Sequence, residues 1–281
     1  MEVYETIPAI LEIEKPDLVV ITGDVVTEND PQRAFKKLSD IFVEYKVPYA
    51  IVFGNHDSEY NLSRKQVAKY IETLPGILNK NDKRSEGYTN FVLPIYGKGD
   101  QKKAILYFMD SNENSTMESL DEGWGWFTHN QVSWYRKQSR KYTKENKGVP
   151  YPALAFFHIP LPEYERLWDD KNNIPIGTRN DYYGGPLINT GMFAAMIEGG
   201  DVMGTFVGHD HYNDYIGVHL GIALAYGRVT KTGHYELDPG PGARVIVIKE
   251  GKRSFDTWIR EPNGNQLDMT NFPDSFLPKE E

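Results

Sequence analysis

Not one of the 281 residues is a cysteine. Thiolate zinc sites, iron–sulfur clusters and disulfides are therefore excluded, and thiol chemistry marks no compartment. Positive charge is in short supply, with 31 Lys and Arg against 40 Asp and Glu and a formal net charge of −9. Such a chain does not gather nucleic acid by unspecific phosphate attraction, so no nucleic-acid partner is expected. No run approaches the ~18–20 apolar residues that a bilayer span needs. The opening "MEVYETIPAILEIEKPDLVV" lacks a basic stretch leading into an apolar one, so it does not read as a secretion signal. Any such signal would lie upstream of Met1, and the localisation stays open. Histidine is scarce too, at seven residues.

What is present is ordinary globular composition, 40% hydrophobic and 25% charged, on a chain long enough for a sizeable core. Strand-like and helix-like stretches alternate. "DLVVITGD" and "VPYAIVFGNHD" are short apolar runs ending in polar residues. Between them "DPQRAFKKLSDIFVEY" carries Phe35, Leu38, Ile41 and Phe42 at helical spacing, opened by Asp30 as cap and Pro31 in the first turn. Ser63 opens a further helix, "GYTNFVLPIYG" and "KKAILYFMDS" read as a hairpin, and "THNQVSWYRKQSRKYTKE" is an amphipathic helix. "YPALAFFHIP" is a buried strand. The Asn-, Asp- and Gly-rich 167–191 reads as a long loop, and loops of that length in a compact domain are usually functional or disordered. After the short helix "MFAAMIEGGD" the remainder is mostly strand: "YIGVHLG", "GIALAYG", "ARVIVIKEG" and "RSFDTWIR". With no repeat or linker, the reading is a single α/β domain over residues 1–281.

Polar residues collect where apolar runs end. Four runs terminate in Gly23-Asp24, Gly54-Asn55-His56-Asp57, His158 and Gly208-His209-Asp210-His211, the last within "GTFVGHDHYND". Loops at the carboxyl ends of strands in α/β sheets converge on one crevice. A carboxylate, an amide oxygen and imidazoles form an oxygen and nitrogen set that suits Mn, Fe or Zn better than Mg or Ca. Glycine beside the ligands lets the backbone turn sharply and approach an ion. Asp110 and Ser111, ending "ILYFMDS", fit either a supporting role or a plain strand-end turn. His129, His219 and His234 lack partners in the pattern and read as structural, and Trp124, Trp126 and Trp134 read as packing.

These blocks, "TGDVV", "FGNHDSE", "AFFHIP" and "VGHDHYND", resemble in order four of the five motifs of the calcineurin-like metallophosphoesterases, the dinuclear phosphatase superfamily that includes purple acid phosphatases. The resemblance implies a layered αββα sandwich of two mixed β-sheets flanked by helices. It also implies two divalent metal ions: Asp24 bridging both, Asn55, His158 and His209 completing the shell of one, and His211 binding the other. His56 would sit over the site and protonate the leaving oxygen, and Asp57 would orient its ring. Two cations would then clamp the attacking and leaving oxygens of an in-line phosphoryl displacement and activate a water.

Two departures stand out. Thr27 occupies the position of the metal-binding tyrosine of purple acid phosphatases, as in a purple-acid-phosphatase-like subgroup of plants, fungi and bacteria. The Asp-x-His motif that opens the family pattern is absent, since no histidine precedes His56. The chain is read as starting inside the domain, with the first strand missing and one metal expected in place of two. The expected function is a metal-dependent phosphoesterase acting on phosphomonoesters, either phosphorylated small molecules or phosphoproteins. A non-catalytic or one-metal binding module and a phosphodiesterase or nuclease are the alternatives.

Overall fold

The computed structural model describes residues 3–26, 29–117, 123–169, 175–231 and 239–277. It opens with α1 (Val3–Glu14), β1 (Val19–Ile21), α2 (Pro31–Glu44), β2 (Tyr49–Ile51) and α3 (Arg64–Ile71). The cap signals act as expected. Asp30 accepts a hydrogen bond from the Arg33 N–H at 3.0 Å, with Pro31 following it, and the Gln66 side chain accepts from the Ser63 N–H at 2.9 Å. Next come β3 (Phe91–Tyr96), β4 (Lys102–Phe108), α4 (His129–Glu145), β5 (Ala153–Phe156), α5 (Glu163–Arg166), α6 (Met192–Gly199) and β6 (Val202–Val207). The last part is β7 (Ile216–His219), β8 (Ile222–Tyr226), β9 (Ala243–Ile248), β10 (Phe255–Arg260) and β11 (Gln266–Phe272).

The largest sheet has six strands in the order β3-β4-β5-β6-β8-β7, with β4, β5, β6 and β8 parallel and the two outer hairpins antiparallel. Strand alternation sorts its side chains onto two faces. Ile105, Tyr107, Ala153, Ala155, Leu224 and Tyr226 face α4 and α6, while Leu106, Phe108, Leu154, Phe156, Ala223 and Ala225 face the middle of the domain. Across that middle layer lie the parallel pair β1-β2 and the three-stranded β11-β10-β9. Ala50 and Val52 point into the middle, whereas Tyr49, Ile51 and Phe53 point outward under α1, α2 and α3. The layers therefore run helix, sheet, sheet, helix, in agreement with the expected sandwich.

A file of phenylalanines stitches the two sheet layers together. Phe91, Phe108, Phe156, Phe206, Phe255 and Phe272 follow one another with ring centroids 4.5 to 5.7 Å apart. Each such contact adds about 0.5–1.5 kcal/mol beyond the burial of the ring itself. Strand β11 escaped the sequence reading because its outward side is polar or exposed, and only Thr270 and Phe272 are buried in it. Residues 175–191 contain no helix or strand, as expected of the loop, yet they are laced to 210–216 by hydrogen bonds from Thr178 N to Asp214 Oδ1 and from Asn180 N and Asp181 N to Asn213 Oδ1. Among the described residues no helix is long and apolar enough to cross a membrane.

Candidate metal centre

Parallel strands β1, β2, β5 and β6 end at one rim, and their next residues supply the site. The ends are held in register: the Phe157 N–H donates to Phe206 O at 3.2 Å and the Gly208 N–H to His158 O at 3.1 Å. Four ligand-type atoms meet there. His158 Nε2 lies 3.0 Å from Asp24 Oδ2, 3.1 Å from Asn55 Oδ1 and 3.2 Å from His209 Nδ1, and His209 Nδ1 lies 3.0 Å from Asn55 Oδ1. Asp24, His158 and His209 form a cluster of the size a metal ion takes.

The remaining ring nitrogens fix the tautomers. His158 Nδ1 donates to Thr22 O at 2.6 Å, and the Gly184 backbone hydrogen-bonds the His209 ring. That leaves the lone pairs of His158 Nε2 and His209 Nδ1 aimed into the cluster. Four electron-rich atoms at such distances repel one another unless a cation or a proton lies between them. The charge balance agrees. Burial alone would raise the Asp24 carboxyl, but the adjoining His158 ring and the His56 N–H outweigh it and hold it well below the usual carboxylate range. Burial would lower His158, yet Asp24 raises it; His209 is pushed down to about 3, first by burial and then by His158. Asn55 turns its Oδ1 into the cluster, while its Nδ2 is buried with no hydrogen-bond partner among the described residues. The donor set fits a divalent Mn, Fe or Zn ion.

The backbone is shaped for this. Asp24 and His209 adopt φ of 54° and 74°, left-handed conformations that cost a non-glycine residue about 1–3 kcal/mol and gather at functional sites. A methyl group on Gly54 would sit 2.0 Å from Asp24 Oδ1, and one on Gly23 would sit 2.3 Å from Gly54 N. Gly54→Ala is therefore expected to weaken Mn binding by about tenfold or more, because the ligand turn must move. Gly240→Ala, whose methyl would meet nothing within 4 Å, should leave affinity unchanged in the same titration.

The other expected residues fall as follows. His211 is half-buried beside this cluster, within electrostatic reach of Asp24 and His158 but outside the tight group. His56 stands at the rim with its side chain 47% exposed, and its backbone N–H donates to Asp24 Oδ1 at 3.0 Å. Asp57 does not orient the His56 ring. Its fully buried carboxylate is taken up by backbone, accepting from Asp24 N at 3.0 Å, Gly54 N at 2.8 Å, Val25 N at 2.8 Å and Val26 N at 3.1 Å. Those donors are left over where the chain leaves β1 and β2 and no ladder partner continues. The His56 ring pairs with Glu59 instead, Nδ1 to Oε1 at 2.7 Å. Ser111 does support the site, its Oγ accepting from His158 N at 3.3 Å and Ile159 N at 2.9 Å. Thr27 and His234 lie outside the described residues.

Several contacts were not legible in the sequence. Trp124, read as packing, stands edge-on to His209 with centroids 4.4 Å apart, whereas Trp134 is buried and donates to Asp82. Gly184 also clamps Asp210, donating to Oδ2 at 3.2 Å beside the Tyr226 hydroxyl at 2.5 Å, and burial pushes that carboxyl up to about 6. The only advance signal for Gly184 was the composition of its loop.

The calcineurin-like phosphoesterase family matches residues 2–213. An Arabidopsis thaliana protein named probable inactive purple acid phosphatase 29 is 35% identical over 271 residues, covering 89% of this chain and 68% of its own. Phosphatase DCR2 of Saccharomyces cerevisiae is 30% identical over 285 residues, covering 94% of this chain. The chain spans about half the length of that yeast relative, 48%. A dimetal phosphatase from Danio rerio superposes with a TM-score of 0.63 at 13% identity, over 94% of this chain and 86% of that one, a likeness of fold alone.

Proposed function

Because the chain belongs to the calcineurin-like phosphoesterase family, we propose that it is a metal-dependent hydrolase of phosphomonoesters, small molecules or phosphoproteins. The observation that carries this reading is the set of lone pairs turned on one another by Asp24, Asn55, His158 and His209. A cation held there would polarise a phosphoryl oxygen and lower the pKa of a water. Around it, Asp57 keeps the Asp24 and Asn55 turns folded against each other, and Thr22 and Gly184 keep the two imidazoles in their metal-binding tautomers. His56, exposed at the rim and paired with Glu59, is placed to give a proton to a leaving oxygen.

One observation favours a second reading, a one-metal binding module. Among the described residues the tight group of carboxylate and imidazole ligands is Asp24, His158 and His209, and His211 stands outside it, near the Asp24 that the first ion already takes. Catalytic sites generally need about three protein ligands to hold a borderline ion tightly. The expected result is close to one Mn or Zn per molecule by elemental analysis, with slow turnover of an aryl phosphate and slower turnover of an aryl phosphodiester. Two tightly retained ions with rapid monoester turnover would refute the one-metal expectation. Failure to retain any ion would refute the centre itself.

A further inference from the structure

Arg64 begins α3, a position where a cation opposes the positive end of the helix dipole. Its side chain is nonetheless only 10% exposed. Something other than helix stability placed it there. The guanidinium reaches out of α3 in three directions. Nη1 donates to the Gly54 carbonyl at 2.8 Å and to Glu113 Oε1 at 3.0 Å, and Nη2 donates to Asp110 Oδ1 at 2.5 Å, while the Phe53 ring lies 4.7 Å beneath.

These contacts bracket the turn that carries Asn55 and His56. At its front the Gly54 carbonyl is bound directly. At its back the Ser58 hydroxyl donates to the same Glu113 oxygen that Arg64 holds. Arg64 and Glu113 thereby hold the turn at Gly54 and at Ser58. Glu113 also belongs to the stretch that brings Trp124 against His209, since its carbonyl accepts from Gly125 N at 2.6 Å and its neighbour Asn114 bridges to Trp124. One buried cation thus connects the Asn55 side of the centre to the His209 side.

We infer that Arg64 is a positioning residue for the metal centre, acting through Gly54 and Glu113 on Asn55 and His56. The inference rests on the proposed metal-dependent reading. A guanidinium suits the place because its planar fork serves the carbonyl and both carboxylates from two separate nitrogens, whereas an ammonium would have to reach all three from one atom.

The test is titration with Mn²⁺ of the full 281-residue chain and of Arg64→Lys, Glu113→Gln, their double variant and Arg84→Gln. Arg64→Lys keeps the charge that Asp110 needs and loses the fork, so Mn affinity should fall about tenfold or more, the usual range for partners that orient ligands. Glu113 is 43% exposed, so Glu113→Gln should fold readily and show a smaller loss. The double variant should lose less than the two single losses combined, because Arg64 acts in part through Glu113. Arg84→Gln, which removes an exposed arginine paired with Asp82, should bind like the wild type. Wild-type affinity in both Arg64→Lys and Glu113→Gln, even with lowered melting temperature, would overturn the inference and leave the metal reading intact. An equal loss in Arg84→Gln would overturn it as a mere charge effect. If the wild type takes up no Mn, the metal reading fails and the inference with it.

Discussion

Turnover of an aryl phosphate should fall by about 10²–10⁴ when His56 is replaced by alanine, the range for loss of a general acid, while Mn affinity holds. The separation follows from which atoms do what. The link from residue 56 to the ligand set is its backbone N–H, donated to Asp24 Oδ1 at 3.0 Å, and alanine keeps that bond. The ring lies at the rim, half-exposed, touching Glu59 and none of the ligand atoms described. Stability should change little, since exposed substitutions usually stay within about 0.5 kcal/mol. Comparing kcat with the Mn titration midpoint for both proteins decides the matter. A variant that loses Mn would show that the ring belongs to the ligand shell, and one with unchanged kcat would remove His56 from the chemistry.

Replacing Asp57 is expected to do the opposite, removing fold stability and metal together. Its carboxylate gathers the N–H groups of Asp24, Val25, Val26 and Gly54 at 2.8 to 3.1 Å, with no exposure to water. Hydrogen bonds to a charged group are each worth about 1.5–3 kcal/mol, and a buried donor left unpaired costs about 1–3 kcal/mol. Asp57→Ala should therefore lose roughly 3–5 kcal/mol, within the range for breaking a buried charged partnership. Asp57→Asn is nearly the same shape but still unfavourable. If its oxygen serves Val25 and Val26, its NH₂ faces the N–H groups of Asp24 and Gly54, donor against donor. Urea unfolding at neutral pH, with and without Mn, tests both. A variant with wild-type midpoint and wild-type Mn affinity would show that the clamp has no energetic role.

Much of this was legible beforehand because it depends on neighbours in the chain. The 3.6-residue spacing of Phe35, Leu38 and Phe42 buries one side of α2, and the Asp30 and Ser63 caps stand where their helices begin. The candidate ligand residues were likewise visible, since Asp24, Asn55, His158 and His209 each stand just after an apolar run and parallel strands deliver such positions to one rim. Strand β11 was missed for the complementary reason: an edge strand with an exposed side lacks the apolar run by which a buried strand is recognised.

Roles were a different matter. Asp57 follows His56 in sequence, and the family resemblance implied that it orients the His56 ring. In the fold its carboxylate turns inward to the N–H groups of residues 24–26, some thirty positions away. Glu59 takes the ring because one further turn of chain brings it back to the same side. Nor does any spacing in the sequence announce that Arg64 reaches Glu113, or that Trp124 meets His209. By itself the sequence marked which residues are candidates for metal binding and most segments that are strand or helix, because side-chain identity and periodicity are local properties. Only the tertiary structure decided which carboxylate serves the backbone, which meets the His56 ring and which cation holds the turn. Those pairings are set by which buried donors are left unsatisfied after the strands have paired, and that is a property of the packed chain as a whole.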